Sequence, residues 1–129
     1  MGYGVLRSDE AEWEERRFAE GQPPRLAADV TGAAGLTRSR ARVWRYPPRT
    51  RGRRHADHAQ EEVFVVLSGS FTFLVGDPPE RVDAPPGTVV RMEIGTPFQI
   101  RNDGDGEATL FAYGAPSVED GAEYFPDLG

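Results

Sequence analysis

The residues able to do chemistry are few and crowd into one stretch, His55-Ala56-Asp57-His58-Ala59-Gln60-Glu61-Glu62. His55 and His58 are the only histidines among 129 residues, and there is no cysteine. Without thiols there are no disulfides, thiolate metal sites or thiol nucleophiles. All 15 basic residues are arginine, so a side-chain Schiff base is excluded too. Imidazole and carboxylate remain, and His55 and Glu62 are the catalytic candidates. Glu62 carries two readings. Buried in a pocket, its carboxyl would titrate high enough to exchange protons usefully. As a plain wall residue it would be neutralised by an arginine such as Arg53, Arg54 or Arg101. On a regular strand His55 and Asp57 share one face and His58 points to the other. A bulge or a shifted register would instead bring His58 in, with a site of His58 and Glu62.

The elements that must hold these residues read as short strands. Ser39 to Tyr46 alternates and stops at Pro47-Pro48. Glu62 to Ser68 is strongly β-forming and closes at Gly69. Phe71 to Val75, Arg81 to Ala84, Thr88 to Met92, Phe98 to Asn102 and Ala108 to Tyr113 follow, separated by Gly- and Pro-rich turns. Many short strands at this spacing predict an all-β sandwich or barrel. Residues 9–18 could form a short helix capped by Ser8, or equally an extended arm. The expected division is an N-terminal arm over residues 1–35 and a barrel over 36–129, with the tail from Gly114 extended over the surface. In strand 62–68, Glu62, Phe64 and Val66 share one face, and Val63, Val65 and Leu67 the other. Both faces are apolar, so the outer one is expected to be covered by a second sheet, the arm or another subunit. A homodimer is the expectation.

Charge sets further limits. The net charge of −6 argues against a nucleic-acid partner. Residues 36–54 nevertheless hold eight arginines and no acid, while residues 55–129 hold three arginines against fourteen acids. The basic stretch reads either as an anion-attracting rim, or patch for an acidic surface, or as a solvated strand face followed by a solvated loop. The second reading is preferred. No segment has the ~20 apolar residues of a membrane span, and the N-terminus lacks a basic stretch followed by an apolar run. The expectation is a cytoplasmic protein without a membrane partner.

The stretch from His55 to Gly69 resembles the first motif of the cupin superfamily: His-x-His, three or four residues, Glu, six residues, Gly. Glu62 and Gly69 have the motif spacing, His55 stands at the first histidine and Asp57 at the second. The second cupin motif reads Gly, five residues, Pro-x-Gly, two residues, His, three residues, Asn. Gly87, Gly95 and Asn102 fall on it, while Glu93 replaces the proline and Phe98 the histidine. The resemblance spans roughly residues 40–113 and implies a double-stranded β-helix (jelly roll) enclosing one pocket.

In cupins that use a metal, these positions bind a divalent ion. Carried over residue by residue, the metal candidates here are His55, Asp57 and Glu62, with Phe98 unable to ligate. That set would hold a divalent ion only weakly. Of Phe64, Phe71, Phe73 and Phe98, two are expected to be plain core. Phe64, Phe98 and Asn102 are the pocket candidates. The resemblance therefore implies a degenerate cupin site binding a small, partly apolar molecule. The alternative is a metal-dependent enzyme of dioxygenase, isomerase or cyclase type using His55, Asp57 and Glu62.

Overall fold

Apolar residues at alternate positions, punctuated by Gly and Pro, put nearly the whole chain into short antiparallel strands. The computed structural model describes residues 2–129. In chain order the elements are β1 (Trp13–Arg16), β2 (Arg25–Asp29), α1 (Val30–Ala34), β3 (Arg40–Tyr46), β4 (Thr50–Arg51), β5 (His55–Asp57) and β6 (Glu61–Ser68). There follow β7 (Phe71–Val75), β8 (Glu80–Ala84), β9 (Val89–Met92), β10 (Phe98–Asn102), β11 (Ala108–Ala115) and β12 (Ala122–Tyr124). One sheet runs β1-β2-β3-β11-β6-β9; the other runs β12-β5-β10-β7-β8, with β4 also on β10. From β6 onward the chain crosses repeatedly between them, and the architecture is a double-stranded β-helix.

The inner faces meet in a core of Phe64, Val66, Phe71, Phe73, Met92, Phe98, Ile100 and Leu110. Edge-on and tilted ring pairs tie it together: Tyr46 with Phe71 at 5.1 Å, and Phe64 with Phe98 at 5.4 Å.

The helical option for residues 9–18 is not taken. Residues 13–16 are extended and pair with β2, Trp13 opposite Ala28. Charge-dense and nearly without an apolar helix face, the segment gains more from a backbone ladder than from a lone helix. Trp13 then lies under the Arg45 guanidinium, 5.2 Å from its ring centre. Within residues 1–35, β2 pairs with β3 and carries β1 into the first sheet. Among the described residues no helix is long and apolar enough to cross a membrane.

The two outer faces differ. On the first sheet, α1 packs beside β3, where the Thr31 hydroxyl accepts from the Ala41 amide at 2.9 Å and donates to the Ala41 carbonyl at 3.3 Å. Towards β9 that face is apolar and open: Val63, Val65 and Phe111 are half-buried, while Leu67 and Val89 are exposed. The outer face of the second sheet is strapped by the C-terminal segment. β12 pairs with β5, and beyond it the Asp127 carboxylate accepts from the buried Gln99 amide at 2.7 Å and from Arg51 Nε at 3.0 Å. The tail is thus part of the second sheet and its cover.

The Arg51 hydrogen bonds, followed by that from Gln99, hold the Asp127 carboxyl down at about 2, below its ordinary 3.8. Its contribution to stability is therefore present above 3.8 and lost as pH falls through about 2. Asp127→Ala leaves the fully buried Gln99 without this acceptor, and about 1–3 kcal/mol of stability should go at pH 7. Urea unfolding checks this; unchanged midpoints would mean that the strap carries no load.

Candidate functional site

The barrel's inner rows set the site. Going from one end to the other, Glu62 on β6 stands level with Gly114 on β11 and Arg40 on β3. The next row is Phe64, Ala112 and Arg42, and the next is Val66, Leu110 and Trp44. The last row is closed by large apolar side chains. In the first two, the Gln60 side chain packs over Gly114, and Ala112 leaves the middle open. A cavity of about 580 Å³ results, walled by Trp44, Tyr46, Phe64, Ala112 and Ile100, with His55, Asp57, Gln60 and Glu62 at one side.

Local structure fixes each polar group. His55 and Asp57 lie two apart on β5 and both line the cavity, with Ala56 between them facing the other way and fully buried. His58 lies outside the cavity, exposed, with Nε2 2.7 Å from Glu123 Oε1. His55 Nδ1 is 3.0 Å from the Arg53 carbonyl, which can only accept, so Nδ1 carries the proton and Nε2 is the free base. Burial pushes the His55 pKa down, against a smaller opposing pull from that hydrogen bond and from Asp57. The ring is held against Phe98, centres 4.6 Å apart.

Glu62 is the unusual group. Its Oε1 is buried and makes no hydrogen bond to any described residue. Burial first, then the negative charge of Asp57, push its pKa up to about 7. The arginines named as its possible partners are engaged elsewhere: Arg54 near Asp77 at 3.5 Å, Arg101 with Asp103 at 3.3 Å, and Arg53 over the Tyr124 ring at 3.7 Å.

The metal expected by resemblance does not fit this arrangement. Among the described residues no group of three or more His, Cys, Asp or Glu side chains could hold an ion. Asp57 Oδ1 already accepts from the Ala59 and Gln60 amides, both at 2.8 Å, closing the β5–β6 loop. Phe98 fills the remaining direction with a ring that is 1% exposed. His55, Asp57 and Glu62 share a wall but do not form a ligand set.

Two pocket candidates are placed elsewhere. Phe98 does not line the cavity but packs behind His55 and Phe64 as core. Asn102 is buried beyond the core, donating to the carbonyls of Tyr46, Pro47 and Gly106 and accepting from the Gly104 amide. It is a turn-holding residue. Phe64 does line the cavity.

The opposite wall is basic, where the sequence favoured a solvated strand face over an anion-attracting rim. Arg16, Arg25, Arg40 and Arg42 all line the cavity. Arg40 and Arg42 occupy the inner face of β3, on the same side as Phe64 and Glu62, and line the cavity. The eight-arginine stretch was the available signal. Burial, then the charges of Arg16 and Arg40, lower the Arg42 pKa from its ordinary value.

A family model described as Cupin domain matches residues 42–113. Comparison with curated protein sequences finds no match. Solved structures of the same fold are numerous. A polyketide cyclase from Streptomyces resistomycificus superposes with a TM-score of 0.79 at 16% identity, covering 96% of this chain and 87% of the other. A protein described as a predicted oxalate decarboxylase from Thermotoga maritima gives 0.75 at 21% identity, over 87% and 98%. A cupin-superfamily sugar phosphate isomerase from Silicibacter pomeroyi gives 0.73 at 20% identity, over 97% and 94%.

Proposed function

Given that this chain belongs to the cupin family, we propose that it binds a small, partly apolar organic molecule inside the barrel. One observation carries the reading: a cavity of about 580 Å³, the size of a ligand site, with Trp44, Tyr46 and Phe64 on part of its wall and charged and polar side chains on the rest. Trp44, Tyr46 and Phe64 supply the apolar contact, and His55 and Glu62 meet the polar end. The cysteine-free composition suits a cytoplasmic protein, and that location belongs to the proposal.

Ala112→Leu tests this directly. It adds bulk between Phe64 and Arg42 and should abolish binding of any ligand found by calorimetry against a metabolite library. The Trp44 emission change that accompanies binding should vanish with it. Wild-type protein that binds nothing, or a filled variant that binds as well as wild type, refutes the reading.

A second reading is metal-free proton transfer, favoured by the buried, unpaired Oε1 of Glu62 beside a neutral His55. Glu62 would take a proton from a substrate carbon or hydroxyl and return it to a neighbouring atom, as isomerisation or cyclisation requires. Those are the reactions named for two proteins of the same fold. If such an activity is found, Glu62→Gln should lower kcat about 10²-fold or more while leaving ligand affinity within a few-fold.

We also infer a homodimer through the open apolar face around Leu67 and Val89, which are 52% and 62% exposed. Light scattering at micromolar concentration should give twice the chain mass, and Leu67→Asp with Val89→Asp should halve it. A monomeric wild type overturns the inference.

A further inference from the structure

The cavity has a charged wall that its polar end does not use. Arg42 makes no ion pair and no hydrogen bond to any described residue, although it is half-buried. Arg25 donates to the Tyr46 hydroxyl at 3.2 Å and stacks 4.7 Å over Trp44, but meets no carboxylate. Arg16 and Arg40 each touch one exposed acid, Glu14 at 3.3 Å and Glu119 at 3.6 Å. The Nε atoms of Arg16 and Arg25 are buried without any partner. Asp29, opposite Arg42 on β2, is exposed and accepts from the Gly32 amide instead.

Four guanidinium groups gathered on one wall repel each other, and buried N–H groups without acceptors are penalised. Water in an open rim offers acceptors and screening but no countercharge. An oxyanion supplies that countercharge and accepts two parallel N–H bonds from a cavity-facing arginine fork such as that of Arg42. Arg40 and Arg42 on β3 lie two strand spacings from Glu62 and Phe64, about 10 Å between backbones, and Arg25 on β2 lies one strand further. One small molecule can span that gap with both side-chain sets reaching inward.

We propose that the cavity is a receptor for a small organic oxyanion, a carboxylate or phosphate ester, gripped by Arg25 and Arg42 with its uncharged end against His55 and Glu62. This rests on the barrel's being a small-molecule site and adds the ligand's class. The anion enters on the β1–β3 side, and Arg16 and Arg40 attract it by charge.

The test is calorimetry with matched probes: benzoate against benzamide, phenyl phosphate against phenol, and glucuronate and glucose 6-phosphate against glucose. At least one anion should bind about tenfold or more tightly than its neutral partner, with affinity falling as salt rises. Comparing the carboxylate and phosphate arms identifies which oxyanion is preferred. Arg42→Gln should weaken that anion about tenfold, Arg42→Lys less, and the neutral probes should not change. Arg45→Gln is the control, since Arg45 lies on the outer face of the same strand, paired with Glu107 at 3.0 Å. Thermal melts show whether each variant is folded. Equal binding of anion and neutral partner, or an anion indifferent to Arg42→Gln in a folded variant, overturns the proposal while leaving the pocket intact. Failure of every probe overturns it together with the pocket reading.

Discussion

Glu62→Gln should raise the unfolding free energy at pH 8 by as much as about 3 kcal/mol and change it little at pH 4. In the folded protein the carboxyl titrates at about 7, against an ordinary value of 4.5. Burial is the main cause and the nearby Asp57 charge the second. Below 4.5 the group is protonated in both states and contributes nothing to pH dependence. Between 4.5 and about 7 the unfolded chain releases its proton while the folded chain keeps it. Stability therefore falls as pH rises through that window and is lower by a constant amount above it. At roughly 1.4 kcal/mol per pH unit, the gap gives the 3 kcal/mol as an upper figure. Glutamine has the same shape and cannot ionise, so the variant should lack this slope. Urea unfolding of both proteins at pH 4, 6 and 8 decides the matter. Parallel stability–pH curves would mean that Glu62 is ionised and well solvated in the fold, and its role as a proton-exchanging group would fall with that.

Gly69→Ala should be the more damaging glycine substitution, lowering stability by about 2–5 kcal/mol. Gly69 turns the chain from β6 in one sheet to β7 in the other, at φ +67°. A Cβ there would lie 2.7 Å from the Ala108 Cβ and 2.8 Å from both the Ala108 Cα and the Glu107 carbonyl oxygen. Two of those three atoms are backbone, so the neighbour cannot swing aside. The strain of a left-handed residue, about 1–2 kcal/mol, adds to an overpacking term of about 1–3 kcal/mol. Gly87→Ala separates the two terms. Gly87 has φ +88° with nothing within 4 Å of the added Cβ, so only the backbone strain applies. A smaller loss at Gly69 than at Gly87 would show that the crowding at Ala108 is relieved by a backbone shift.

Several features of this molecule are local and were legible in the residues. The strands 71–75 and 98–102 match their sequence limits because apolar alternation ends at Gly or Pro on at least one side. Within β6, the two-residue period puts Glu62, Phe64 and Val66 inward and leaves Leu67 outward. The same period puts His55 and Asp57 on the cavity and His58 outside it. Gly69 is legible for a related reason: a tight corner needs a residue without a side chain.

Other features exist only because distant segments meet. β1 and β2 are strands through their ladder to β3, and nothing in Trp13–Arg16 by itself opposes a helix. Asn102 and Phe98 keep their motif positions but serve a turn and the core, because partner carbonyls and neighbouring rings claim them first. The deepest gap concerns β3. Alternation sorts Arg40, Arg42, Trp44 and Tyr46 onto one face and Ala41, Val43 and Arg45 onto the other, but it does not say which face is inside. By hydrophobicity Ala41 and Val43 should face the barrel. Instead Ala41 and Val43 are buried on the other face, and Arg40 and Arg42 turn into a cavity that Ala112 on β11 leaves open. The sequence determined the fold and the face of each histidine, and left Glu62 open between a buried pocket carboxyl and an arginine-neutralised wall residue. Only the tertiary structure decided that Arg40 and Arg42 of the basic stretch form an inner wall, because the sign of a strand's alternation is set by what packs on each side of it.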